Sequence, residues 1–209
     1  MNNLKLYGFE LSGHSHRASV FLSLLGLKAK IIQVDLASGE HKQADFLAKN
    51  SFGQVPVLED NGQFIADSNA ILLYLATTYD PSRQWYPESP QQQAEIQRFL
   101  STAAGPVAFG PARARIKHVF NHELDLVQAH QVSEQILTAL NAHLAKRDWL
   151  AAKHATIADV ANYSYIAHAP EGGIDLNLYP NVQAWLNRFE QLPGFVAMPK
   201  TYVALQTKL

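Results

Sequence analysis

The sequence predicts two folds in series: a small mixed α/β sheet domain followed by an all-α domain. Three observations carry this reading. A strand, a helix and a second strand follow one another within the first 35 residues, Asn61-Gly62 separates two apolar runs, and no strand-like segment follows the proline-rich stretch 80–90. Leu4–Phe9 alternate as a half-buried strand does. Ser15–Leu25 carry Val20, Phe21, Leu24 and Leu25 at helical spacing, and Gly26 is a C-terminal stop. Ile31–Val34 form the second strand, and such short links imply a parallel crossover. A polar helical stretch spans Glu40–Lys49. Pro56–Glu59 and Gln63–Ala66 then flank Asn61-Gly62, a pair suited to the two positive-φ positions of a hairpin turn, so these strands are antiparallel. Asp67-Ser68 open a helix whose body, Ala70–Leu75, is apolar almost all round and is expected to be buried between layers.

Asp80–Pro90 holds three prolines and no periodicity, which makes it the linker between residues 1–79 and 91–209. Gln91–Ala103 is helical, and Gly105-Pro106 and Gly110-Pro111 are expected to bend or break the chain beyond it. Val132, Ile136, Leu140 and Leu144 mark one face of a long helix. Thr156–Asp159 has the form of a capping box with Asp in the third position, and Pro180–Gln191 form a further helix with Pro193-Gly194 beyond its end.

Composition narrows the function. Of 209 residues, 47% are apolar and 17% charged, against about 25% charged in an average domain, so a real core is expected rather than disorder. Seventeen Lys and Arg against 18 Asp and Glu, scattered, do not form the basic footprint of a nucleic-acid binder. No apolar run approaches the roughly 18 residues of a membrane span, and Met1–Leu6 read as a strand rather than a leader; a cytoplasmic protein is expected. With no cysteine, mechanisms that use a protein thiol or a thiolate metal site are excluded. His118 and His122 have a metal-compatible spacing but lack the HExxH order and a third ligand, so no metal is expected.

The stretch Gly39-Glu40-His41-Lys42, Phe46-Leu47, Asn50–Leu58, followed by Asp67–Ile71, resembles the glutathione-binding half of cytosolic glutathione S-transferases, most closely their serine-type theta and phi branches. Leu6-Tyr7 before a Ser12-led helix, the Thr156–Asp159 box and the Trp185, Arg188, Pro193-Gly194-Phe195 tail extend the resemblance over essentially the whole chain. It implies a thioredoxin-like domain plus an all-α domain, a homodimer, and a glutathione transferase that conjugates the glutathione thiolate to hydrophobic electrophiles, with glutathione as co-substrate. A protein that only binds glutathione or hydrophobic ligands, or a glutathione-dependent isomerase or peroxidase, is the alternative.

Glutathione is mostly protonated at sulfur near neutrality, so such an enzyme must stabilise the thiolate. A hydroxyl at a helix start donates to the anion and adds the helix dipole. By resemblance that hydroxyl is Ser12, which would also serve simply as an N-cap. Tyr7, Ser15 and His14 are the nearby rivals; Tyr7, inside the first strand, is expected to pack, and Ser15 lacks the G-x-S-x-G pattern of a nucleophile elbow. The resemblance also implies a cis bond before Pro56 that leaves the Val55 backbone open to the cysteinyl backbone of the ligand, with Gln54 alongside. By the same resemblance Asp67 and Ser68 would receive the γ-glutamyl end, and His41 and Lys42 would complement the glycyl carboxylate. Leu11, Phe109 and Arg113 are expected to line the second-substrate site between the domains.

Overall fold

The computed structural model describes residues 3–206. Met1 and Asn2, part of the stretch read as a strand rather than a leader, and residues 207–209, the end of the expected second domain, lie outside them. The chain forms two compact units, one reaching Tyr86 and including Leu192–Pro199, the other comprising Pro87–Gln191 and the residues from Lys200 onward.

The first unit runs β1 (Leu4–Gly8), α1 (Gly13–Leu24), β2 (Ala29–Gln33), α2 (Ala44–Leu47), β3 (Val57–Asp60), β4 (Gln63–Ala66) and α3 (Ser68–Tyr79). Its sheet has the order β2-β1-β3-β4, with β1 and β2 parallel and the other pairs antiparallel. Asn61 and Gly62 adopt φ of 49° and 85°, as the hairpin requires. Register sorts the faces: Tyr7 opposes Val57 and packs with Phe46 of α2, whereas Leu6 opposes Leu58 and points the other way, where α1 and α3 pack together.

Four expectations in this half need correction. Helix α1 starts at Gly13 rather than Ser15, because Ser12 takes extended dihedrals and caps it. Strand β2 begins at Ala29 and leaves Lys30, Ile31 and Gln33 exposed, as an edge strand does. The Glu40–Lys49 stretch is not one helix: a 3₁₀ turn over Glu40–Lys42 and the single turn of α2 are separated by Gln43 in extended conformation. Helix α3 buries Ile71, Leu72, Leu75 and Ala76 but exposes Ala70 and only half-covers Leu73, so it presents one face rather than its whole girth. The segment 80–85 is organised by Asp80, whose carboxylate accepts from the Ser82 and Trp85 amides. Leu192–Pro199 returns to this unit: His16 Nε2 donates to the Val196 carbonyl at 2.7 Å, and Gly194, at φ 87°, lies so close to the Ser23 carbonyl that a Cβ would sit 2.7 Å from it.

The second unit is helical: α4 (Pro90–Ala104), α5 (Arg113–Phe120), α6 (Val127–Leu144), α7 (Ile157–Ala167) and α8 (Pro180–Glu190), with no strand among the described residues. Between α4 and α5, Gly105 departs from helical dihedrals, while Gly110-Pro111 does not break the chain but sits in a π turn over Ala108–Ala112. A wider turn tolerates a residue with no N–H. Gly110 packs against Ser133 of α6 so closely that a Cβ would lie 2.9 Å from its hydroxyl. The face α6 buries is Ala129, Ser133, Leu137, Leu140 and Leu144; Val132 and Ile136, expected with the last two, are half-buried beside it. A strict four-residue step drifts around a helix of 3.6 residues per turn. The Thr156 capping box is present as expected. Its Asp159, wholly buried, also accepts from the Leu150 amide and Trp185 Nε1.

Candidate functional site

A cavity of about 320 Å³ opens in the first unit, and the chain's local geometry explains its walls. Asn50, largely buried in its wall, holds the 50–54 loop from both sides: its Nδ2 donates to the Gln54 carbonyl and its Oδ1 accepts from the Phe52 amide. Gly53 has φ 57°, and a Cβ there would lie 2.7 Å from the His41 carbonyl. Only glycine lets the 41–42 turn and this loop approach so closely. Lys42 Nζ locks the same pair by donating to the Phe52 and Gly53 carbonyls at 3.3 and 2.9 Å. The Val55–Pro56 peptide is cis.

Helix α3 begins at another wall. Asp67 holds φ 73°, a conformation non-glycine residues seldom adopt, and its carboxylate accepts from the Asn69 and Ala70 amides at 2.8 and 3.0 Å. Ser68, 2% exposed, has its hydroxyl 3.2 Å from Arg17 Nη1 and 3.1 Å from His14 Nδ1.

All seven residues expected to hold glutathione, His41, Lys42, Gln54, Val55, Pro56, Asp67 and Ser68, line this one cavity, together with His14, Asn50 and Gly53. Ser12 is not among the lining residues. It is the half-buried N-cap of α1, where its Oγ accepts from the Ser15 amide at 3.3 Å and its own O–H meets no protein acceptor among the described residues. Of the rivals, His14 lines the cavity, while Tyr7 and Ser15 are engaged elsewhere. The Tyr7 hydroxyl donates to Glu59 Oε2 at 2.7 Å, and burial, followed by the bond to and charge of Glu59, pushes its pKa up to about 12. Ser15 Oγ accepts from the Phe9 amide.

Of the residues expected around a second substrate, Leu11 is half-buried just before Ser12 in the first unit. Phe109 and Arg113 belong to the helical unit, where Arg113 is exposed and Phe109 is 63% exposed in an apolar groove of about 510 Å³ with Pro106, Val132, Ile136 and Ala139. Among the described residues no three His, Asp or Glu side chains converge as a metal site would require; His118 lies in α5 and His122 in the loop after it. Sequence reasoning missed Asn50, Gly53 and Arg17. Gly53 had a local signal, a glycine between a turn and a strand, but Arg17, 1% exposed, looks like any polar helix residue until α3 is placed over it.

Residues 2–77 match the family model of the glutathione S-transferase N-terminal domain, and residues 93–193 that of the C-terminal domain. The chain belongs to the glutathione S-transferase family. It is 31% identical to glutathione S-transferase 3 of Zea mays over 93% of this chain and 92% of that protein. A crystal structure of a possible glutathione S-transferase from Rhodopseudomonas palustris shares 36% identity with a TM-score of 0.79, covering 95% of this chain and 98% of that one. A glutathione transferase homologue from Drosophila mojavensis, solved with bound glutathione, shares 27% identity with a TM-score of 0.83, covering 92% and 90%. The first unit is thus the thioredoxin-like domain of this family, and the second its helical domain. No helix of the described residues is long and apolar enough to cross a membrane.

Proposed function

We propose that this glutathione transferase is of the serine type, with glutathione in the first-unit cavity and Ser12 donating a hydrogen bond to its sulfur. The protein conjugates the thiolate of glutathione to hydrophobic electrophiles. The observation that carries the site is the cavity itself, which gathers the chemistry a zwitterionic tripeptide needs. Lys42 and His41 suit its glycyl carboxylate. Asp67 and the start of α3 suit the ammonium and carboxylate of the γ-glutamyl end. The Val55 backbone, beside Gln54, suits the cysteinyl amide and carbonyl. The Drosophila mojavensis homologue, solved with bound glutathione, supports glutathione as the ligand.

The mechanism needs no covalent intermediate on the protein. An O–H at the cap of α1 donates to the sulfur, the N-terminal dipole of the helix adds to it, and both favour the thiolate over the thiol. The exposed Phe109 in its apolar groove within the helical unit supports a hydrophobic second substrate. We read the protein as a cytoplasmic homodimer; the exposed Phe52, 79% accessible, supplies apolar surface for a partner copy, and light scattering tests it.

The deciding experiment is Ser12→Ala. Conjugation of chlorodinitrobenzene falls by about 10²–10³, the cost of losing one donor to a developing anion, and the ultraviolet signature of bound thiolate disappears while glutathione affinity holds. Unchanged turnover in the variant removes Ser12 from the reaction.

A further inference from the structure

His14 and Arg17 stand three residues apart on α1, so both side chains leave the same face of the helix. They meet Ser68 at the start of α3, with Arg17 Nη1 3.0 Å from His14 Nδ1 and 3.2 Å from Ser68 Oγ. A guanidinium only donates. His14 Nδ1 must therefore accept, and the one proton of the ring resides on Nε2. An imidazolium would turn an N–H against the guanidinium beside it. Burial, and then the charge of Arg17, lower the His14 pKa to about 3. Around neutrality the ring is thus a neutral donor with an assigned tautomer, carried on a helix rather than a loop.

That ring lines the cavity next to Ser68. The charged or titratable groups around the same cavity are Arg17 from α1, Asp67 at the cap of α3, and His41 and Lys42 from the preceding turn. The Asp67 carboxylate is engaged by the Asn69 and Ala70 amides. We propose that His14 Nε2–H donates a hydrogen bond to the carboxylate received by the N-terminus of α3, the γ-glutamyl carboxylate of glutathione, and that Arg17 is the positioning residue that sets the donor's tautomer. The inference rests on the cavity being the glutathione site. It adds a ligand contact from α1 that the sequence resemblance does not assign.

The test compares wild type, His14→Ala and His14→Gln by calorimetry with glutathione and with S-methylglutathione, which has no ionisable thiol. A lost hydrogen bond to a charged group weakens binding of both ligands by about ten- to a hundredfold in His14→Ala. His14→Gln, whose amide N–H reaches the place of Nε2–H, restores most of it. In ¹⁵N spectra of the wild type, the His14 ring holds the Nε2–H tautomer from pH 5 to 8, and that resonance shifts when S-methylglutathione binds. This last reading does not depend on how well a variant folds. Equal binding by His14→Ala, a loss confined to the ligand with a free thiol, or a ring that titrates near its ordinary value overturns the inference while the cavity keeps its function. Wild-type protein that binds neither ligand overturns both.

Discussion

Two buried clusters, one in each unit, both bring an arginine and a histidine together but differ in what joins them. In the thioredoxin-like unit, Arg17 hydrogen-bonds a neutral imidazole and a hydroxyl, those of His14 and Ser68. In the helical unit, Arg115, 2% exposed, pairs through Nε with the carboxylate of Glu171, whose other oxygen takes His168 Nδ1 at 2.9 Å and the Thr201 amide at 2.8 Å. In the first cluster the histidine and the serine that Arg17 contacts both line a cavity. In the second, the counter-charge is part of the chain and the cluster ties the 169–172 turn and the C-terminal segment to α5.

The largest effect that tests this contrast is on stability. Replacing Arg115 by Met leaves Glu171 buried without its guanidinium, and breaking such a pair costs about 3–5 kcal/mol. Chemical denaturation should show it, with glutathione affinity of the folded fraction unchanged. Arg17→Met removes the hydrogen bonds to the His14 ring and the Ser68 hydroxyl; its cost in stability is smaller, about 1–2 kcal/mol, and its main consequence is weaker glutathione binding. If the two variants lose stability equally and neither loses ligand, the distinction between the clusters is wrong.

Acid titration separates them more finely. His14 has its pKa depressed in the folded state, so its neutral form is favoured there; its contribution to stability is present above about 6.5 and is lost as pH falls from there towards 3. For Glu171, burial alone would raise the pKa, but the His168 and Thr201 hydrogen bonds and the charges of His168 and Arg115 bring it down to about 2. Its contribution is therefore complete above the ordinary carboxylate pKa of 4.5 and drains away between there and about 2. Stability measured against pH should fall in two windows, with His14→Gln flattening the upper one and Glu171→Gln the lower. A single window indifferent to both variants would contradict this assignment.

Much of the architecture was legible because it is written in short-range chemistry. Asn61-Gly62 demanded a hairpin, Thr156 and Asp159 a helix start, and Pro180 another, since each motif satisfies backbone groups within a few residues of itself. The ends of elements were less legible. Ser12 could open a helix or a turn on local grounds, and Gly110-Pro111 signals a break that close packing against Ser133 converts into a π turn. The candidate glutathione residues were found through family resemblance, and their gathering into one cavity required Gly53, Asn50 and Lys42 to close the 41–54 region upon itself.

The sequence by itself determined the alternation of elements, the antiparallel hairpin, the helix caps and the exclusion of protein-thiol chemistry, because periodicity, dihedral preference and composition act locally. Only the tertiary structure decided that Arg17 meets Ser68 across 51 residues, that Arg115 meets Glu171 across 56, and that Leu192–Pro199 comes back to the first unit. Those pairings depend on which surfaces the packed helices bring together and on the cost of leaving a buried charge without a partner. Neither quantity exists until the chain has folded.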